Sequence, residues 1–140
     1  MEKPHKKLDL WILGMQLVTD VYKITKTFPD QERFGLTNQM RRAAVSIPSN
    51  VAEGAARQTS KEFIQYLYIS QGSLSELDTH VEIANQLGWL TEEDERGLEN
   101  TMNRLDKMLS GLIKHQKSPH ALRLTPHEKT KNQSTHKGVE

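Results

Sequence analysis

The sequence predicts an all-α protein, an antiparallel up-and-down four-helix bundle followed by a disordered basic C-terminal tail. Three observations carry this reading. Apolar residues recur with a period of about 3.6, without the sustained alternation that marks strands. Two long segments space their apolar residues in steps of four and three, the seam of helices packed at shallow angles. The connections after the second and third segments are short, which makes consecutive helices antiparallel neighbours.

The first helix is expected from Leu8 to about Thr27, ending before Pro29, whose ring disfavours helix at Phe28. It carries two apolar stripes on roughly opposite sides. One is Leu8, Trp11, Ile12, Met15, Val18 and Tyr22; the other is Leu10, Leu13, Leu17, Val21, Ile24 and Phe28. A helix on the outside of a bundle needs only one apolar face. Either this helix lies deep between its neighbours, or one face joins copies of the chain. Large apolar side chains left in water would each forfeit ~1.5–3 kcal/mol. The stripe Leu10, Leu13, Leu17, Val21 and Ile24 is therefore assigned to an interface between subunits.

The second helix is expected over about Gly35 to Arg57, with a core side of small residues: Met40, Ala43, Ala44, Ile47, Val51 and Gly54. Pro48 removes the hydrogen bond to the Ala44 carbonyl and should kink the axis, with Ser46 and Asn50 placed to serve the freed backbone groups. Alternatively, Ser46 caps a fresh helix with Pro48 in its first turn. The third helix follows Thr59-Ser60, with Thr59 and Glu62 spaced as a capping box, and runs to about Leu87, where Gly88 can end it. Its seam is Phe63, Leu67, Ser70, Leu74, Leu77, Val81 and Ala84. The fourth begins at Thr91, followed by three acids that suit a helix N-terminus, and fades near His115. Its seam is Leu98, Met102, Leu105, Leu109 and Leu112. Residues 1–116 form the bundle domain. Residues 117–140 are polar, with two prolines, and are read as a disordered tail.

Composition narrows the function. The net charge of +1 divides into −3 for residues 1–113 (13 Lys/Arg against 16 Asp/Glu) and +4 for residues 114–140 (6 against 2). The folded part is mildly acidic with local basic spots, unlike a dedicated nucleic-acid domain. With no cysteine, disulfides and thiolate metal sites are excluded. No apolar run reaches the ~20 residues that span a bilayer, and the N-terminus does not read as a signal peptide, so a cytoplasmic protein without a membrane partner is expected.

The most informative surface is on the second helix. Gln39, Arg42, Ser46, Ser49, Asn50, Glu53 and Arg57 fall in one polar sector, with Arg41 pointing elsewhere. Arg42 and Arg57 beside hydrogen-bonding side chains suit a phosphate or carboxylate. The competing reading is an internal network in which Glu53 pairs with Arg57 and Arg42, or bridges subunits. Candidate contacts to a nucleic acid or partner are Arg41, Arg42, Asn50, Glu53, Arg57 and Lys61, with Lys114, Lys117, Arg123, Lys129 and Lys131 toward and in the tail.

RRAAVSIPSNVAEGAAR followed by SKEFIQYLYISQGSLSELDT closely resembles the bacterial four-helix-bundle proteins called 23S rRNA intervening-sequence proteins. The similarity spans about residues 8–116, from LDLW to beyond LGWL. The resemblance implies a homopentamer of up-and-down bundles. The family's name reflects genes lying within ribosomal RNA inserts. A related fold belongs to the accessory variability protein of diversity-generating retroelements, a pentamer that binds RNA and a reverse transcriptase, and that fold-level analogy supplies a candidate partner.

No catalytic constellation is evident. Glu76 and His80 lie off the core stripe and are expected to be solvated, the serines have no histidine nearby in sequence, and no glycine-rich loop precedes a helix. We expect no enzymatic activity and no cofactor or metal. Two functions remain: an RNA-binding or RNA–protein adaptor, and a protein-interaction scaffold, which the mixed-sign sector Arg42-Glu53-Arg57 would suit. The scarcity of aromatic residues argues against stacking on single strands.

Overall fold

The computed structural model describes residues 1–119. Four helices account for most of them: α1 (Asp9–Thr25), α2 (Leu36–Ala55), α3 (Ser60–Gln86) and α4 (Glu92–Gln116). Single 3-10 turns at Pro4–Lys7 and Asp30–Glu32 precede α1 and α2. Backbones approach in the cyclic order α1–α2–α3–α4–α1, and the diagonal pairs do not approach, so the helices form a square up-down-up-down bundle. The tail candidates Arg123, Lys129 and Lys131 lie outside the described residues.

Local chemistry sets the helix ends. At α3 the Thr59 hydroxyl accepts from the Glu62 amide at 3.2 Å and donates to its carboxylate at 3.0 Å. At α4 the Thr91 hydroxyl accepts from the Asp94 amide at 3.0 Å, and Glu92, Glu93, Asp94 and Glu95 crowd the positive end of the helix dipole. α3 ends where Gly88 adopts a φ of 77°, and the Trp89 amide closes on the Ala84 carbonyl at 3.0 Å. That turn seats Trp89 against Phe28 of the α1–α2 connection, ring centroids 5.5 Å apart.

The seams of α3 and α4 are buried as their spacing predicts, with one change: after Leu109 the core takes Ile113, and Leu112 is only partly buried. α2 runs unbroken through Pro48, so Ser46 does not cap a new helix. Ser46 instead hydrogen-bonds Ser73 of α3 at 2.8 Å, and the Asn50 amide donates to both the carbonyl and the hydroxyl of Ser46. One turn nearer the core, the Ser70 hydroxyl donates to the Ile47 carbonyl at 2.9 Å. These bonds tie the proline-bearing turn of α2 to α3.

The assignment of α1's two faces is corrected. Leu10, Leu13, Leu17 and Val21 are buried in the subunit's own core, and Ile24 packs against that core half-buried. Side chains so enclosed within one chain cannot make the contact between chains. Gly14 shares this face at four-three spacing with Leu10, Leu17 and Val21, and a Cβ there would sit 3.4 Å from the Pro48 ring, so this is the face of α1 that meets α2 at close range. The outward face is the other stripe: Ile12, Met15 and Tyr22 are 51%, 40% and 40% exposed, with Trp11 and Val18 half-buried beside them.

Candidate functional site

The polar sector of α2 separates into two ends with different chemistry. Arg42 and Arg57 stand about 22 Å apart along the axis at ~1.5 Å per residue, too far to grip one phosphate. The sequence reading that joined them on a single anion is therefore corrected.

The Arg57 end is closed on itself. Arg57 pairs with Glu53 one turn back, donates to the Tyr66 hydroxyl at 2.6 Å and lies over the Tyr66 ring. Desolvation pulls its pKa down, but attraction to Tyr66 and Glu53 and the hydrogen bonds to both outweigh this and raise it. The internal network foreseen as an alternative forms here, except that Arg42 takes no part in it. Lys61 and Lys114 are exposed near the same end, where the Ser60 hydroxyl donates to the buried Gln116 side chain at 2.8 Å. Lys117 donates to the Tyr68 hydroxyl at 2.9 Å.

The opposite end of α2 is open. There a cleft of about 710 Å³ is lined by Tyr22 of α1, Arg33 and Phe34 of the α1–α2 connection, and Asn38, Arg41, Arg42, Val45, Ser46, Ser49 and Asn50 of α2. Three arginines line the cleft and, among the described residues, no carboxylate does. Arg41 is held in place: Nε donates to the Thr25 hydroxyl at 2.9 Å, Nη2 to the Tyr22 carbonyl at 3.4 Å, and the guanidinium stacks 4.5 Å over the Tyr22 ring. Among the described residues the Arg33 and Arg42 side chains form no ion pair and no hydrogen bond. The nearest acid in sequence, Glu32, is turned away, its carboxylate accepting the Leu36 amide at the start of α2.

Arg42, Asn38, Ser46 and Phe34 also line an adjoining groove of about 440 Å³ that reaches Ser73 and Glu76 of α3. Glu76 is the carboxylate on this side. His80, expected to be solvated, is buried instead: α3 inserts it between Leu77 and Ala84 on the inner edge of its seam, with Nε2 3.8 Å from the Glu76 carboxylate. Its Nδ1 has no hydrogen-bond partner among the described residues.

Of the sequence-predicted candidates, the fold brings Arg41, Arg42 and Asn50 to one cleft and leaves Glu53, Arg57, Lys61, Lys114 and Lys117 away from it. It adds Arg33, Phe34, Tyr22 and Asn38, which the sequence reading did not single out. Arg33 and Phe34 sit in a connection, where no helical period assigns a face. The available signal was a large apolar residue beside an arginine in the otherwise polar PDQERFG.

A family model described as 23S rRNA-intervening sequence protein matches residues 6–111. No curated protein matches. Among solved structures, the chain is similar to a protein of unknown function from the S23 ribosomal protein family of Bacteroides thetaiotaomicron. The TM-score is 0.70 at 22% identity, covering 75% of this chain and 98% of that one.

Proposed function

The chain belongs to the 23S rRNA-intervening sequence protein family, and from that premise we propose that it is a non-enzymatic, homo-oligomeric RNA-binding adaptor, a pentamer whose arginine clefts hold RNA phosphates. The observation that carries this reading is the cleft itself. Among the described residues Arg33 and Arg42 form no ion pair, and Arg41 is fixed with its plane set, which suits bidentate contact to phosphate oxygens. A ring multiplies one such cleft into several, so contacts weak singly combine into useful affinity. The outward stripe of Ile12 and Met15 is the apolar surface that assembly would cover. The protein partner most consistent with the retroelement analogy is a reverse transcriptase.

The test is RNA binding by the full chain, with its mass in solution. If a ring contacts ~6–10 phosphates, affinity should fall about 10³–10⁵-fold between about 50 and 200 mM salt. Replacing Arg33 and Arg42 together with alanine should weaken binding more than tenfold at low salt, while Arg57→Ala, which breaks the closed cluster, should change it little. A protein that ignores RNA at low salt would end this reading and move the search to protein partners at the same cleft. Assembly is checked separately. Ile12→Asp with Met15→Asp puts two charges on the outward face of α1 and should yield a folded subunit of monomer mass in sedimentation. An unchanged mass would show that another surface joins the subunits.

A further inference from the structure

Phe34 is 87% exposed, in the short connection that leads into α2, and packs into no part of the core. A single exposed apolar residue is ordinary on a protein surface. This one, however, forms a wall of both grooves that meet at Arg42. Its neighbours across the larger cleft are the three arginines, the half-exposed Tyr22 ring, and two polar side chains, Asn38 and Ser49, that make no hydrogen bond among the described residues.

We infer that this cleft takes an unpaired nucleotide of RNA, with its phosphate on the arginines and its base against Phe34. The inference rests on the RNA-binding reading above and names the form of RNA. In an A-form duplex the base faces are already stacked on one another, so an exposed phenyl ring gains nothing from them; arginines alone would serve a duplex backbone. An unpaired base offers a free face for the ring, and edges that unbonded amide and hydroxyl groups can meet. Size agrees: the open cleft, about 710 Å³, falls within the ~300–1,000 Å³ typical of small-molecule sites. The low aromatic content of the whole chain counts for little here, since one well-placed ring beside fixed arginines is enough for one base. Tyr22 is already occupied beneath Arg41, which leaves Phe34 as the stacking surface.

The experiment compares three probes of one length on the full chain at constant salt: an unstructured single strand of RNA, the same strand annealed to its complement, and the strand with its bases removed at successive positions. The single strand should bind at least tenfold more tightly than the other two. Phe34→Ala should weaken single-strand binding about tenfold to a hundredfold, as loss of one stacked base does. It should leave duplex binding unchanged, and Phe34→Tyr should restore the preference. Equal affinity for strand and duplex, or a Phe34→Ala protein that still prefers the single strand, overturns this inference and leaves RNA binding intact. Absence of binding to all three probes overturns the RNA reading as well. Phe34 is almost wholly exposed, so the variant should keep its fold, and loss of binding then reports on the contact.

Discussion

Leu17→Ala should cost the folded subunit about 2–5 kcal/mol, the range for truncating a fully enclosed leucine. Leu17 has no exposed surface, at the middle of the inward stripe of α1. The loss combines the transfer energy of the removed methyl groups with a cavity that the close-packed, fully buried core around it can only partly fill. The measurement is urea unfolding over a wide range of protein concentration. For Leu17→Ala the midpoint should drop at every concentration with the slope unchanged. Ile12→Ala, on the outward face, should matter only where chains are assembled, because its effect passes through mass action. The reverse pattern, with Leu17→Ala dissociating subunits that stay individually stable, would restore the interface first assigned to that stripe.

That stripe shows how much the sequence disclosed. The four helices, their caps at Thr59 and Thr91, and the seams from Phe63 to Ala84 and from Leu98 to Leu109 were legible, because each depends on spacing within one segment. The presence of two apolar faces on α1 was legible too. Which one turned inward was not, because that depends on how α1 meets α2, where Gly14 faces Pro48, a contact between residues remote in sequence. His80 escaped for a related reason: a position on the edge of a seam is buried or solvated according to how far the facing helix extends. The cleft was half legible. Arg41 and Arg42 lie on a helix with a readable wheel, but their counterparts Arg33 and Phe34 come from a connection whose path follows from Glu32 capping α2 and Phe28 docking on Trp89. Arg57, equally prominent on the wheel, is absorbed by Tyr66 of another helix, which no pattern within α2 discloses.

Gly54→Ala is the substitution in which packing and helix propensity oppose each other most directly. Near the end of α2, a Cβ at Gly54 would stand 2.7 Å from Cβ of Tyr66, 2.8 Å from Cδ1 of Phe63 and 3.3 Å from the Phe63 carbonyl. The first contact is with the root of a side chain, which cannot swing aside, so α3 itself must move. Propensity favours alanine over glycine in a helix by ~0.8–1 kcal/mol. Overpacking of this kind costs ~1–3 kcal/mol, and more where backbone must shift. The clash should win, with a net loss of up to about 2 kcal/mol, and more if the α3 backbone has to shift. The displacement would also carry Tyr66 away from Arg57, so the loss should be accompanied by weaker protection of the α2–α3 junction in hydrogen exchange. Gly72→Ala is the matched control: it lies inside α3 with nothing within 4 Å of the new methyl group, and should stabilise the protein by up to ~1 kcal/mol. If both variants gained stability, α2 and α3 would not be in contact at Gly54, and the close packing that holds the Arg57 end of α2 against α3 would have to be redrawn.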